Sequence, residues 1–352
     1  MQAEDVDVLE ATVERAGSAE STDSTSQATH AEVRVWRFTS SGVHPERSLH
    51  AEDGHPQSGE VVWVDLSDYR ASELEDVANQ LGLDPAGVAA ALAPWQRPGV
   101  TAFRDHALVN ASVLDLAEET LRIHANEMDC FIGETFVITA HSRTLPFIDL
   151  IIERAEGNAD LVREDPAYLL YILLDELIDT FAHTAEELDR MVEALEDRAL
   201  LSDDRDFLNT LVRYKRFVYS VNRLVAQHGF LFHGLLRPDF PFVSGESVEG
   251  YFTALNERAN EVAGVFDETR QEMRGTFDIY MSSVAHRTNG IMKTLTMISI
   301  LVLPATAIFG FFGTNFVQLP FFGTAGFIFM LLLLVLLTAG QLMLFRKRGW
   351  LN

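Results

Sequence analysis

The sequence predicts a mixed α/β domain joined through long stalk helices to a two-span transmembrane helical hairpin. Three observations carry this expectation. From Thr294 to Phe345 there is no charged side chain, and each bilayer crossing takes about 20 apolar residues at ~1.5 Å rise per residue. The first third of the chain alternates strand and helix signals. The middle keeps an apolar spacing of three and four over stretches much longer than an ordinary helix.

The hairpin comes first because it limits the rest. Its spans are expected at Leu295–Phe312 and Gly326–Phe345, separated by the helix-breaking stretch Gly313-Thr314-Asn315-Phe316-Val317-Gln318-Leu319-Pro320. Two buried helices of a soluble core would each keep a polar stripe, and Phe329 to Leu337 has none. The formal charge of −25 falls outside this run, so the soluble part is strongly acidic. That excludes nucleic acid as a partner, since phosphates demand Lys and Arg. It favours attraction of cations, although an acidic surface kept for solubility carries the same charge.

A single cysteine, Cys130, rules out an intramolecular disulfide framework. Its strand-like setting, Met128-Asp129-Cys130-Phe131-Ile132, predicts a buried structural thiol. No apolar h-region opens the chain, which predicts that no signal peptide is cleaved and that the soluble part is cytosolic. Arg346-Lys347-Arg348, directly after the second span, points the same way because basic flanks stay inside. Both termini are then expected in the cytoplasm of a multi-pass protein of the cytoplasmic membrane.

Residues 1–30 are acidic and rich in Ser, Thr, Ala and Gln, with few large apolar groups, and are expected to form a disordered arm. An α/β domain is expected over 31–142, with strands at Glu32–Phe38, Val61–Leu66, Val100–Phe103, Ala107–Leu114, Leu121–His124, Met128–Ile132 and Thr135–Thr139. Gly133-Glu134 makes a tight turn, and Ser67-Asp68 followed by Ser72-Glu73 signals a helix start. Residues 143–246 read as the helical part of the soluble region. One long helix carries Leu174, Leu177, Ile178, Phe181, Leu188 and Leu195 on a single face; a second covers about Phe207–Gly229 and ends before Pro238. From 247 to 312 the pattern runs without a proline until Pro304, a stalk helix that becomes the first span and on the order of 100 Å long. A helix of that length needs partners along it, so self-association is implied. An external loop (313–325), the second span (326–345) and a basic tail (346–352) complete the chain.

Two crossings cannot enclose a pore, whereas several copies around an axis can. Asn289, Met292, Thr296, Ser299, Leu303, Thr306 and Gly310 recur at spacings of three and four and share one helix face. Small polar groups alternating with bulky apolar ones suit a pore wall. A helix–helix packing seam would have the same signature. Asp175, Asp179, His183 and Glu186 or Glu187 also share a face, as a divalent-ion stripe or a solvated surface would. Among the eleven histidines there is no H-E-x-x-H pair, and neither a Gly-rich phosphate loop nor G-x-S-x-G occurs. No enzyme is expected.

The run from Asp278 to Thr296, with Tyr280, His286, Asn289 and Met292, followed by Leu303-Pro304 and Gly310-Phe311-Phe312-Gly313-Thr314-Asn315-Phe316, closely resembles the stalk and first span of the CorA family of divalent metal ion (magnesium) transporters. A looser likeness covers Leu174 to Arg198 and the Phe131 to Thr139 hairpin, so that the resemblance extends over about residues 32–352. It implies a funnel-shaped homopentamer in the lipid bilayer, with a pore helix in each copy and a second span facing lipid. Carried over by position, Asp278 and Asn289 would line the cytoplasmic pore. Met292, Leu295 and Leu303 would form hydrophobic constrictions, with Thr306 and Gly310 facing the ion. The family holds a hydrated ion at a Gly-Met-Asn turn, here Gly313, Thr314 and Asn315.

The sequence departs from the family pattern in three places. Thr314 replaces the turn's Met, a change that the family associates with altered magnesium transport and with zinc-transporting relatives. Gln318 stands where many members carry a nearby Glu. Ala254 stands where magnesium-gated members often have an inter-subunit Asp, which the resemblance reads either as reduced closure by bound Mg²⁺ or as a regulatory ion moved to other carboxylates such as Glu257 or Asp267. The expected activity is divalent-cation transport, with Mg²⁺ first, and with Zn²⁺ or another transition metal such as Co²⁺ as the alternative. A non-conducting membrane-anchored scaffold is a third reading. No cofactor is expected beyond a transported or regulatory cation.

Overall fold

The computed structural model describes residues 32–39, 42–46, 48–49, 60–94, 97–117, 120–157, 165–201, 206–237, 240, 246–314 and 324–350. The expected arm at 1–30, most of the external loop and Asn315 lie outside the described residues. The chain divides into two compact units, Met1–Thr276 and Phe277–Asn352.

The first unit is built on a seven-stranded sheet of order β2-β1-β3-β7-β6-β5-β4. Its strands are β1 (Glu32–Thr39), β2 (Gly42–Glu46), β3 (Val61–Ser67), β4 (Gly99–Ala102), β5 (His106–Ala117), β6 (Arg122–Gly133) and β7 (Phe136–His141). All neighbours are antiparallel except β3 and β7, the one parallel pair. Every residue of both strands is buried, as a parallel pair covered on both faces requires.

Two strands differ from expectation. β2 was not among the expected strands; it contains Pro45, and a proline is tolerated on an edge strand, where one side of the backbone is unpaired. The expected pair Leu121–His124 and Met128–Ile132 is a single strand, β6. The polar segment between them stays in register with β5, Val113 opposite Asn126 and Ser112 opposite Glu127. Pairing along a whole neighbour outweighs the low strand propensity of a few residues. At the β6–β7 turn a Cβ on Gly133 would come within 2.3 Å of the Phe136 ring, so any larger residue there would require that ring to shift.

Helices α1 (Ala71–Leu81) and α2 (Pro85–Ala91) cover one sheet face. Leu74, Val77 and Val88 pack there against Val64, Phe131 and Ile138. α1 starts later than the Ser67-Asp68 signal suggested: the Arg70 N–H donates to the Glu73 carboxylate at 2.7 Å, which serves a free amide of the first turn. Gly82, at φ 70°, ends it. Helices α3 (Pro146–Gly157), α4 (Pro166–Leu201) and α5 (Phe207–Leu235) cover the other face. The expected stripe Leu174, Leu177, Ile178, Phe181, Leu188 and Leu195 is buried. Cys130 is fully buried and unpaired, and burial pushes its thiol well above the ordinary range.

Two polar contacts tie this second layer to the sheet. Asp65, buried in β3, accepts hydrogen bonds from Thr139 Oγ1 (2.5 Å), His141 Nε2 (2.9 Å) and Arg34 (2.8 Å), and Arg34 also reaches Asp149 of α3. Burial alone would raise the Asp65 carboxyl, but these donors and the His141 charge hold it below its usual value. On α5, His228 Nε2 accepts the Ser112 N–H of β5 at 3.0 Å while Nδ1 donates to the Leu224 carbonyl at 2.9 Å. The imidazole is therefore neutral, and burial lowers its pKa to about 4.

A single helix, α6 (Glu246–Phe312), follows. Its first half buries Phe252, Leu255, Val262, Phe266, Thr269, Met273 and Thr276, the three-four alternation of a coiled-coil seam. The last helix is α7 (Thr324–Lys347). Both α6 and α7 are long and apolar enough to cross a membrane.

Candidate ion path

In the second unit the first span has two distinct faces. Lys293, Met297, Leu301, Pro304, Ala305, Ile308 and Phe312 recur at three and four and are half-buried. Met292, Leu295, Thr296, Ser299, Leu303, Thr306 and Gly310 are all exposed, Leu303 at 69%. At 100° per residue the two sets lie on opposite sides of the helix. Asn289 and Asp278 are exposed as well. The expected pore face is therefore not a packing seam with the second span of its own chain.

The hydroxyls on that face are bonded in one way. Thr296 Oγ1 donates to the Met292 carbonyl (2.7 Å), Ser299 Oγ to Leu295 (2.9 Å) and Thr306 Oγ1 to Val302 (2.9 Å). Each hydroxyl hydrogen is spent on the carbonyl four residues back. What remains exposed is the oxygen lone pairs, so these groups present acceptors and no donors.

At the far end, the Gly313 N–H donates to the Phe309 carbonyl at 2.8 Å. A Cβ on Gly313 would stand 3.0 Å from that oxygen, tighter than ordinary contact, which explains the glycine. Thr314 Oγ1 donates to the Phe311 carbonyl at 2.6 Å, and its N–H reaches the same oxygen at 3.3 Å. The threonine thus caps the helix with its side chain. The negative end of the α6 dipole, worth about half an elementary charge, lies at this turn, where the sequence has no acidic residue.

One polar contact joins α7 to the first span, and a second joins a residue ahead of that span to the turn after α7. Gln341 Nε2 donates to the Ile300 carbonyl at 2.9 Å, and Lys293 Nζ reaches the Gly349 carbonyl at 3.3 Å. Phe345 and Trp350 stack with centroids 5.8 Å apart. Sequence reasoning did not single out Gln341. The available signal was Pro304, whose missing N–H leaves a carbonyl four residues earlier in need of a donor.

The expected acidic stripe on α4 has a different occupant. Arg258 of α6 donates to both Asp175 and Asp179, so two carboxylates of the stripe, open in the sequence as an ion site or a solvated surface, are engaged by a guanidinium. His183 pairs with Glu187 at 3.4 Å. Asp267 is engaged by Arg270 at 3.1 Å and Asn222 at 3.2 Å, while Glu257 is exposed. Among the described residues no three His, Cys, Asp or Glu side chains are arranged to hold a metal. The acids that converge are others. Burial, a hydrogen bond to Asp189 and the charges of Asp189, Glu196 and Glu268 raise the Glu272 pKa. They lie on α4 and α6, brought together by packing rather than by sequence spacing.

Known proteins share this architecture. The family described as CorA-like Mg²⁺ transporter protein matches residues 58–347. The cobalt/magnesium transport protein CorA of Thermotoga maritima is 24% identical over 325 residues, 91% of this chain and 92% of the relative. The zinc transport protein ZntB of Klebsiella pneumoniae is 24% identical over 311 residues, 86% of this chain and 91% of the relative. Among solved structures, the complete CorA magnesium transporter of Methanocaldococcus jannaschii superposes with a TM-score of 0.75 at 20% identity, covering 91% of this chain and 98% of that one. With a family match across most of its length, two apolar helices at its C-terminal end and the sheet domain before them, the chain belongs to the CorA-like Mg²⁺ transporter family, whose members are ion transporters rather than enzymes.

Proposed function

We propose that the chain conducts divalent cations, Mg²⁺ first among them, across the cytoplasmic membrane as a homopentamer whose first spans line the path. The observation that carries this reading is the exposed face of α6, with its acceptor-only hydroxyls at Thr296, Ser299 and Thr306. Mg²⁺ gives up its waters reluctantly, and a hydrated cation points O–H donors outward. Rings of lone pairs match that shell without stripping it. Met292, Leu295 and Leu303 supply the apolar constrictions between the rings, and Asp278 and Asn289 the cytoplasmic end.

Gly313, Thr314 and Asn315 form the entry selectivity turn, where the converging C-termini of α6 supply the negative potential that an acidic loop would otherwise provide. The basic Arg346, Lys347 and Arg348 keep both termini in the cytoplasm. Inward movement is then driven by the membrane potential, ~2.3 kcal/mol per elementary charge per 100 mV. Zn²⁺ transport is the second reading, favoured by Thr314 in place of the family's Met and by the likeness to a zinc transport protein.

Purified protein in liposomes under an inside-negative potential tests this, with Mg²⁺, Co²⁺ and Zn²⁺ supplied in turn. Mg²⁺ influx is expected, lowered by Asn315→Ala and by Thr296→Val, and raised by Thr314→Met. Zn²⁺ flux that Mg²⁺ does not compete with would select the second reading. Absence of any divalent flux at any potential would refute both and favour a scaffold.

A further inference from the structure

One side chain joins the two spans at the proline of the first. Gln341 Nε2 in α7 donates to the backbone carbonyl of Ile300 in α6 at 2.9 Å. In an uninterrupted α-helix that carbonyl accepts the N–H of the residue four positions on, here Pro304, which has none. The pyrrolidine ring also crowds the carbonyl four residues before it. In hydrocarbon no water takes over, so such an oxygen must find a donor within the protein. Gln341 is the only amide or charged side chain between Thr324 and Phe345. Because a carbonyl can only accept, the bond also settles which end of the Gln341 amide faces Ile300. The other end, Oε1, is buried without a partner among the described residues. An apolar residue would avoid stranding it, so what the glutamine contributes at this depth is the bond to Ile300.

We propose that Gln341 is a positioning residue of the ion path: its amide stands in for the donor that Pro304 lacks and pins the second span to the first at the one place where the helix ladder is broken. A helix missing a ladder bond at proline bends there more easily than elsewhere. The bond at Ile300 lies between Ser299 and Leu303 of the exposed face, so it sets how the constriction at Leu303 and the oxygen of Thr306 are presented. The consequence for transport rests on the function proposed above; the hydrogen bond and its coupling to Pro304 do not.

A double-mutant cycle tests it with Gln341→Leu, Pro304→Ala and the two combined, each as the full chain in detergent and in liposomes. Loss of one interhelical hydrogen bond in a membrane shifts a conformational equilibrium by about threefold and a melting midpoint by about 2 °C. Q341L is expected to lower the midpoint and change Mg²⁺ flux by about these amounts. In the P304A background Q341L should change neither, because the substituted alanine supplies the N–H that Ile300 needs. Equal effects of Q341L in both backgrounds would overturn the proposal by making Gln341 a packing residue, as would no effect in either. Q341L that fails to fold alone but folds with P304A would support it; failure in both backgrounds would count against it. Should the wild type pass no ion, the transport reading fails while the melting cycle still decides the role of Gln341.

Discussion

Asp129→Asn should stabilise the protein, and the gain should grow with pH. Asp129 is 7% exposed and lies two residues before Phe131, on the sheet face covered by α1 and α2. Its carboxylate accepts one hydrogen bond, from Asn110 Nδ2 at 2.5 Å. Burial pushes its pKa from 3.8 up to about 7, Asn110 opposes this, and the charge of Glu127 adds to it. That displacement corresponds to about 4 kcal/mol at 1.36 kcal/mol per pH unit. Because the folded pKa lies above the unfolded one, the folded state holds the proton more tightly. The stabilisation is complete below about pH 4 and is lost as pH rises to about 7. An amide at this position never ionises and keeps an acceptor for Asn110. The gain should therefore reach about 4 kcal/mol at pH 8 but only about 1–2 kcal/mol at pH 5. At roughly 2–4 °C per kcal/mol this is a rise of about 10 °C in the melting midpoint at pH 8. Fluorescence-detected melting of wild type and variant in one detergent, from pH 5 to pH 8, reads it directly. A gain independent of pH, or a lower midpoint at pH 8, would refute the reasoning.

His228 should act in the opposite direction. Its folded pKa of about 4 lies below the ordinary 6.5, so its contribution is full above pH 6.5 and is lost as pH falls towards 4. His228→Phe should abolish that acid-side loss while costing about 1–3 kcal/mol at pH 7, because the Ser112 amide loses its acceptor; melting curves at pH 5 and pH 7 check both. Arg258→Ala should cost less than about 1 kcal/mol, since its partner Asp179 has 52% of its side chain exposed. It also releases Asp175 and Asp179 together, so millimolar Mg²⁺ should raise the melting midpoint of the variant more than that of the wild type. Equal Mg²⁺ responses would show that the pair does not take a cation even when freed.

The membrane hairpin, the long helices and most of the strands were legible because they follow from local quantities. Hydropathy over Thr294–Phe345, the three-four spacing through α4 and the turn glycine at 133 need no knowledge of what lies opposite. The same locality set the limits. Leu121–His124 and Met128–Ile132 read as two strands because Asn126 and Glu127 are poor strand residues, and only β5 alongside makes them one. Asp175 and Asp179 read as either a cation stripe or a solvated surface because the helix places them on one face, and only the arrival of Arg258, 83 residues away from Asp175 in the chain, turns them into an ion pair. The shared face of α6 was visible in its spacing, whereas the direction of its hydroxyl hydrogens was not.

By itself, the sequence determined that this chain carries two C-terminal helices long and apolar enough to cross a membrane and which helix face carries both oxygen and apolar groups, since hydropathy and helical periodicity act residue by residue. Tertiary structure alone decided which buried carboxyl is shifted up and which down, which carboxylates are already paired, and that a glutamine of the second span serves the carbonyl orphaned by Pro304. Those outcomes depend on groups from 19 to 83 positions apart being brought together by the fold, and for the buried ones the free energy arises only once burial has removed the solvent that would otherwise satisfy each of them separately.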